Sequence, residues 1–150
     1  MNTIDYLAEI GKNEKLFNSL YHAASCRYNL PEGSLWILYF LIFLDSPVTQ
    51  LDVAERMMLP KQTINSATMS LVKKGYVELQ KVGGSKRKNI ILTEEGRKFA
   101  EETVRHILNA EKRAVERMGQ EKIDCYVGLY GEFYECMRSE FQNEGIMDAI

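Results

Sequence analysis

The stretch that decides the fold is "VAERMMLPKQTINSATMSLVKKGYVEL", residues Val53 to Leu79. Pro60 lacks a backbone N–H and is therefore well tolerated in the first turn of a helix, while Gly75 suits a left-handed C-terminal cap. The residues between them predict a helix. Upstream, Thr49 predicts the N-cap of a short helix that runs to about Met57, because its hydroxyl can accept an otherwise unpaired backbone N–H. The stretch therefore predicts two helices joined by a tight turn.

The second of these helices has two different faces on a helical wheel of about 100° per residue. The arc predicted to face the core contains Ile64, Ala67, Thr68 and Leu71, with Val72 at its edge. The opposite arc and its flanks contain Gln62, Thr63, Asn65, Ser66, Met69, Ser70 and Lys73. No carboxylate occurs between Lys61 and Val77. An exposed helix usually mixes Glu with Lys, so a face without acid indicates a surface that meets phosphates.

Two segments after Gly75 read as strands, "YVELQKV" and "KNIIL", and the turn between them contains Gly83, Gly84 and Ser85. Four basic residues decorate this hairpin: Lys81, Lys86, Arg87 and Lys88. A short helix, a tight turn, a second helix and a basic hairpin together predict a winged helix-turn-helix. In that fold the second helix enters the major groove of DNA, and the hairpin, or wing, reaches the backbone or the minor groove.

Long helices are predicted on both sides of this region. They cover Thr3–Arg27, Glu32–Leu44, Glu94–Met118 and Glu121–Gln142. The last helix carries a continuous apolar stripe formed by Ile123, Val127, Tyr130, Tyr134, Met137 and Phe141. The stripe could pack within one monomer. We expect instead a homodimer, because a winged region of this size does not use long flanking helices efficiently without a partner. The predicted fold class is mainly α with a small β-hairpin wing, and the N- and C-terminal helices form a dimerisation region.

The charge of the chain is distributed unevenly. The formal net charge is −2, yet residues 49–100 contain ten Lys and Arg against five Asp and Glu, and the remainder contains nine against sixteen. The middle therefore carries +5 and the flanks −7, which favours contact between the middle and an anionic partner.

Composition predicts an ordinary globular protein with one domain over residues 1–150, since 45% of the 150 residues are hydrophobic. The longest apolar run, Leu35 to Leu44, is ten residues, about half of a membrane-spanning helix, and predicts a buried helix rather than a membrane contact. No secretory signal is recognised. Three cysteines without a CxxC pattern fit reduced thiols, so the predicted location is cytoplasmic.

The quoted stretch, followed by "NIILTEEGRKFA" at Asn89 to Ala100, resembles the MarR family of bacterial transcriptional regulators in residue types and order. The likeness covers roughly residues 3–141. It implies a DNA-binding lobe at residues 47–100, dimerisation helices at 1–30 and 101–150, and DNA binding that small ligands or oxidation weaken. The chain departs from the family at the wing tip, where Gly84 and Lys86 stand in place of a frequent Asp-x-Arg pair. The salt bridge of that pair is therefore not expected here.

On this interpretation the protein is a homodimeric repressor that reads a pseudo-palindromic operator in double-stranded DNA. The residues predicted to contact DNA are Lys61, Gln62, Thr63, Asn65, Ser66, Ser70, Lys73, Lys86, Arg87 and Lys88. Gln62 and Asn65 can pair with adenine edges, whereas the cations neutralise phosphates and provide affinity that falls with salt.

A small-molecule effector is expected near the first two helices, where aromatic walls are predicted from Tyr21, His22, Trp36 and Tyr39. Two alternative functions stay open: a thiol-based redox-sensing regulator that uses Cys26 beside His22, and a winged helix that binds only proteins. Zinc sensing through His22, Cys26 and His106 has the ligand types but no recognisable spacing. No catalytic constellation is recognised beyond a weak Cys26–His22 pair, so we expect neither an enzyme nor a cofactor.

Overall fold

The computed structural model describes residues 1–84 and 86–148. The elements in chain order are α1 (Thr3–Arg27), α2 (Glu32–Phe43), β1 (Val48–Thr49), α3 (Gln50–Met57), α4 (Lys61–Lys73), β2 (Val77–Lys81), β3 (Lys88–Leu92), α5 (Glu94–Glu102), α6 (Val104–Met118) and α7 (Gln120–Asn143). The chain separates into two compact units, residues 1–108 and 109–150. The mainly helical fold with a small antiparallel sheet confirms the predicted fold class, and the role of the terminal helices in dimerisation stays a prediction.

Helix α2 forms the centre of the first unit. Five of its apolar side chains are buried, namely Leu35, Ile37, Leu38, Leu41 and Ile42, whereas Phe43 near its end is 55% exposed. The prediction of a buried helix therefore holds for most of this run. Across the described ranges 1–84 and 86–148, no helix is long and apolar enough to cross a membrane.

The two helices of the quoted stretch are present, and their ends agree with the predicted signals. Thr49 caps α3, and Met58 ends it with a left-handed backbone at φ 51°. Helix α4 follows Pro60 directly, and Gly75 after its last turn has φ +75°, the conformation expected of a C-terminal glycine.

Helix α4 packs against α2 through the predicted face. Ile64, Ala67, Thr68 and Leu71 are buried. The approach is close at Gly33 of α2, where an added β-carbon would lie 3.0 Å from the β-carbon of Ala67. The buried hydroxyl of Thr68 donates to the carbonyl oxygen of Ile64 at 2.7 Å, so this polar group costs little to bury. The core contacts fix which side of α4 faces outward.

The sheet has one strand more than the hairpin predicted from sequence. Its order is β1–β3–β2, all antiparallel, with Val48 opposite Ile90 and Val77 opposite Leu92. Strand β1 is only two residues long, too short for an alternating pattern to be visible. Its pairing joins the start of α3 to the wing. Ser85, predicted to lie in the wing turn, is outside the described residues.

The prediction of one long helix from Glu94 to Met118 is wrong. The helix breaks at Thr103, whose φ and ψ are −128° and −79°. The Thr103 hydroxyl donates to the carbonyl oxygen of Phe99 at 2.7 Å, the oxygen that a continuous helix would pair with the Thr103 backbone N–H. That N–H turns instead to Ala100 at 3.4 Å. The hydrophobic periodicity continues through the break, and neither Gly nor Pro marks it.

Helix α7 forms most of the second unit and begins after Gly119, whose φ is +84°. None of its described residues is buried. Within the predicted stripe, Val127, Tyr130, Tyr134 and Phe141 are exposed in the single chain. In the first unit, α1 likewise has no buried residue and exposes Leu16, Phe17 and Leu20, among others.

Candidate nucleic-acid interface

The outward face of α4 presents the predicted contact residues together. Lys61, Gln62, Thr63, Asn65, Ser66 and Lys73 are exposed, and Ser70 is half-buried. These side chains extend over three turns of one helix, and the other face of that helix is buried in the core. The face offers amide, hydroxyl and ammonium groups and no carboxylate. It can therefore donate to and accept from base edges without repelling phosphates.

The N terminus of α4 adds backbone donors to this surface. Among the described residues, no side chain caps this helix end, and its first turn contains no acidic residue. The N–H groups of Lys61, Gln62 and Thr63 precede the first α-helical bond, which Ile64 makes to Pro60 at 3.2 Å. A helix start with these properties favours an anion such as a phosphate.

The wing carries like charges in adjacent positions. Lys81 and Lys88 face each other directly in the β2–β3 register, and both are exposed. Like charges in this arrangement repel each other across a hairpin, so the pair costs stability in the free protein. An anion placed near the wing relieves that repulsion. Lys86 is exposed close to the tip.

Arg87, the remaining predicted cation of the wing, has a role within the fold as well. The backbone N–H and the hydroxyl of Thr49 donate to the Asp52 carboxylate and hold the pKa of Asp52 below its ordinary value, and the charges of Arg56 and Arg87 add to this effect. Arg87 is therefore electrostatically coupled to the start of α3 while its side chain stays exposed. A phosphate at the wing would share Arg87 with Asp52.

Three of the predicted effector residues form a chain of aromatic contacts. The ring centroids of Tyr21 and Trp36 lie 4.9 Å apart, and those of Trp36 and Tyr39 lie 5.3 Å apart. All three side chains are half-buried. The Trp36 Nε1 is buried and has no hydrogen-bond partner among the described residues. The rings thus pack on each other and leave one buried donor open to an acceptor.

His22, the fourth predicted effector residue, is exposed, and its ring contacts Cys26. Its Nε2 lies 3.6 Å from the Sγ of Cys26, one helical turn later on α1. Cys26, Cys125 and Cys136 are free and exposed. Within residues 1–84 and 86–148, no three His, Cys, Asp or Glu side chains gather as a metal ion would require.

Met69 is a member of the outward face that the sequence does not assign to DNA contact. Helical periodicity places it there, but a methionine at such a position often packs against its neighbours. In the structure 49% of Met69 is exposed. The sequence could place Met69 on the outward face through its position on the helical wheel. Only the tertiary structure shows how much of the side chain is exposed.

Comparison with known proteins agrees with this geometry. Residues 28–88, from the end of α1 to the start of β3, match the model of the MarR family. The match covers α2, α3, α4 and β2, so the resemblance drawn from the quoted stretch is confirmed. The matched family is one of transcriptional regulators. No curated protein matches the chain at a significant level.

Solved structures extend the MarR-type likeness to nearly the whole chain. A MarR family regulator from Neisseria meningitidis aligns with a TM-score of 0.78 at 21% identity, over 96% of this chain and 99% of that one. MepR of Staphylococcus aureus, solved in complex with DNA, aligns with a TM-score of 0.64 at 19% identity, over 91% and 99%. Staphylococcus aureus MarR, solved with salicylate and kanamycin, aligns with a TM-score of 0.65 at 16% identity, over 92% and 93%. The chain therefore has the MarR regulator fold.

Proposed function

We propose that this protein is a sequence-specific DNA-binding transcriptional regulator that acts as a homodimeric repressor. The observation that carries the proposal is the exposed face of α4, which is polar, free of carboxylates and held outward by four buried residues on its other side. A fold likeness to MepR, which was solved with DNA, supports the same use of the surface.

Affinity and specificity come from different parts of this surface. Lys61, Lys73 and the wing cations neutralise phosphates, which provides sequence-independent affinity and a strong dependence on salt. Gln62 and Asn65 read base edges in the major groove, where an amide can pair with adenine through two hydrogen bonds. Thr63, Ser66 and Ser70 contact bases or the backbone. The wing's paired lysines, Lys81 and Lys88, lose their mutual repulsion when a phosphate approaches.

Dimerisation completes the operator-binding unit. The apolar stripe of α7 and the apolar side chains of α1 are exposed in the single chain, and a second copy is the partner that would cover them. Two copies related by a two-fold axis read a pseudo-palindrome with half-sites about one helical turn apart.

A small-molecule effector releases the protein from DNA in this proposal. The half-buried aromatic chain Tyr21–Trp36–Tyr39 and the unpaired Trp36 Nε1 offer stacking surfaces and one donor. An aromatic carboxylate satisfies both features, and salicylate, bound in the structure of Staphylococcus aureus MarR, is a suitable probe. Salicylate is expected to weaken operator binding by the wild type and to have less effect on Trp36→Phe, which keeps the ring and lacks the N–H.

The deciding experiment is selection of bound fragments from genomic DNA by the purified protein. Enrichment of a two-fold symmetric motif near promoters supports the proposal. A failure to retain any DNA at low salt would contradict it and favour a winged helix that binds proteins.

The contact between His22 and Cys26 favours a second candidate, release by oxidation. A peroxide would oxidise the Cys26 thiol to a sulfenic acid and be reduced to water or an alcohol, and His22 is placed to accept the thiol proton. Peroxide should then release DNA from the wild type and not from Cys26→Ser. Loss of DNA binding by both proteins would assign the oxidation to another residue.

A further inference from the structure

Met69 differs from every other residue on the outward face of α4. The face is otherwise polar, and within the described helix Met69 is its one exposed large apolar side chain. Ile64 and Leu71 on the opposite face are 0% exposed, so the core lies on the other side of the helix from Met69. Its place on the helix directs it away from the core, and no other described element covers it fully, since 49% of it is exposed.

The neighbours of Met69 are the residues proposed to read bases. It follows Asn65 by four positions and Ser66 by three, and residues at these spacings are adjacent on a helix surface. Lys73 lies one further turn along the same face. Met69 therefore extends into the same space as the amide of Asn65 when that face enters the major groove.

The major groove presents one apolar feature, the 5-methyl group of thymine. A thioether side chain is long, flexible and polarizable, and it adapts to an apolar group better than a short branched side chain does. The amide and hydroxyl groups on the rest of the face cannot make this contact favourably, and among the described residues the only other exposed methyl group on it is the short one of Thr63, on the flank. We propose that Met69 is a specificity-determining residue that selects thymine by contact with its 5-methyl group, an inference that rests on the proposed DNA-binding function.

Uracil substitution tests the contact directly, since deoxyuridine pairs like thymidine and lacks only the methyl. Each thymine of the selected operator is replaced in turn, at the same position in both half-sites, and affinity is measured by fluorescence anisotropy. For the wild type, one position is expected to lose about fourfold in affinity per half-site, the value of one buried methyl group. Met69→Ala is expected to bind thymine and uracil operators equally at that position.

Two further variants separate this contact from general effects. Met69→Leu keeps an apolar side chain and should retain part of the preference for thymine. Met58→Ala is the matched control, because Met58 is 89% exposed and lies in the turn before α4 rather than on its outward face. It should keep the full preference. Circular dichroism verifies that each variant is folded.

The outcomes distinguish the two proposals. An operator motif with no thymine sensitive to uracil, or a Met69→Ala protein that keeps the wild-type ratio, would overturn the role of Met69 and leave DNA binding intact. The absence of any enriched motif would overturn the proposed function and the role of Met69 together.

Discussion

Gly96 lies directly against the backbone of Tyr76, so close that an added β-carbon would overlap the Tyr76 carbonyl oxygen. That oxygen accepts the backbone N–H of Thr93 at 3.1 Å, and the Thr93 hydroxyl donates to the carbonyl oxygen of Gly75 at 2.6 Å. The stacked rings of Tyr76 and Phe99, with centroids 4.4 Å apart, belong to the same junction. The start of α5 is thereby fixed to the segment that joins α4 to the wing.

Gly96→Ala is expected to destabilise the protein strongly, by about 3 kcal/mol or more, since backbone must move to relieve the overlap. Urea unfolding followed by circular dichroism measures the change. Gly84→Ala is the control, because an added β-carbon there has no atom within 4 Å, and its free energy of unfolding should stay close to that of the wild type. If the two variants have equal free energies of unfolding, the backbone at the junction can move to accept a side chain at little cost.

Asp52→Asn should weaken the capping box of α3, because an amide oxygen accepts less strongly than a carboxylate and carries no charge. Asp52 accepts the backbone N–H of Thr49 at 2.8 Å, and Thr49 Oγ1 accepts the backbone N–H of Asp52 at 3.1 Å. We expect a loss of about 1 kcal/mol at pH 7.

The pH dependence of this loss has a defined sign. Hydrogen bonds from Thr49 hold the folded pKa of Asp52 below its ordinary value of 3.8. The carboxylate therefore contributes its full stabilisation above that value and loses it as pH falls through the folded pKa. The difference in free energy of unfolding between the wild type and Asp52→Asn should therefore fall toward zero in acid. Glu55→Gln, in the same helix, should have nearly the same free energy of unfolding as the wild type. If Glu55→Gln loses as much stability as Asp52→Asn, the loss does not come from the capping box.

Asn65→Ala is expected to relax sequence preference and spare non-specific binding. Removal of a pair of hydrogen bonds to one base costs about 1–3 kcal/mol on the cognate operator and nothing on unrelated DNA. Competition binding on both DNAs measures the ratio. Asn13→Ala, an exposed asparagine on α1, serves as the control. If affinity for all sequences falls equally, Asn65 does not read a base.

Lys86→Ala combined with Arg87→Ala should weaken binding to all DNA by a similar factor. The slope of log affinity against log salt should become shallower by up to about 0.9 for each phosphate that the variant no longer neutralises. Lys112→Ala combined with Arg113→Ala is the matched control, because it removes an adjacent exposed Lys–Arg pair in α6. An unchanged slope in the wing variant would place the wing outside the interface.

Val127→Asp is expected to shift the protein from dimer to monomer. Val127 is 63% exposed in the single chain, and an aspartate there would have to lose its hydration when a second copy covers the stripe. Sedimentation velocity measures the shift, and circular dichroism should be unchanged. Glu132→Lys lies on the opposite arc of α7 and should leave the dimer intact. A dimeric Val127→Asp protein would remove the stripe from the interface.

Local signals in the sequence determined most of the helices and the two strands of the wing. The cap at Thr49, the N–H-free Pro60 and the left-handed Gly75 act within one or two turns of their own position, so their consequences can be predicted without knowledge of distant residues. The four core-facing residues of α4 followed from periodicity for the same reason. The charge asymmetry and the acid-free face indicated the class of partner.

Contacts between distant parts of the chain decided the rest. Strand β1 exists because Val48 meets Ile90, 42 positions later, and two residues contain no pattern of their own. The break at Thr103 has no local signal, because the hydrophobic period continues through it and the same type of hydroxyl-to-carbonyl bond at Thr68 leaves α4 unbroken. The exposure of Met69 and the overlap that excludes any side chain at Gly96 both depend on how separate elements pack. Sequence periodicity reports which face of an element is apolar, whereas only tertiary packing decides what that face meets.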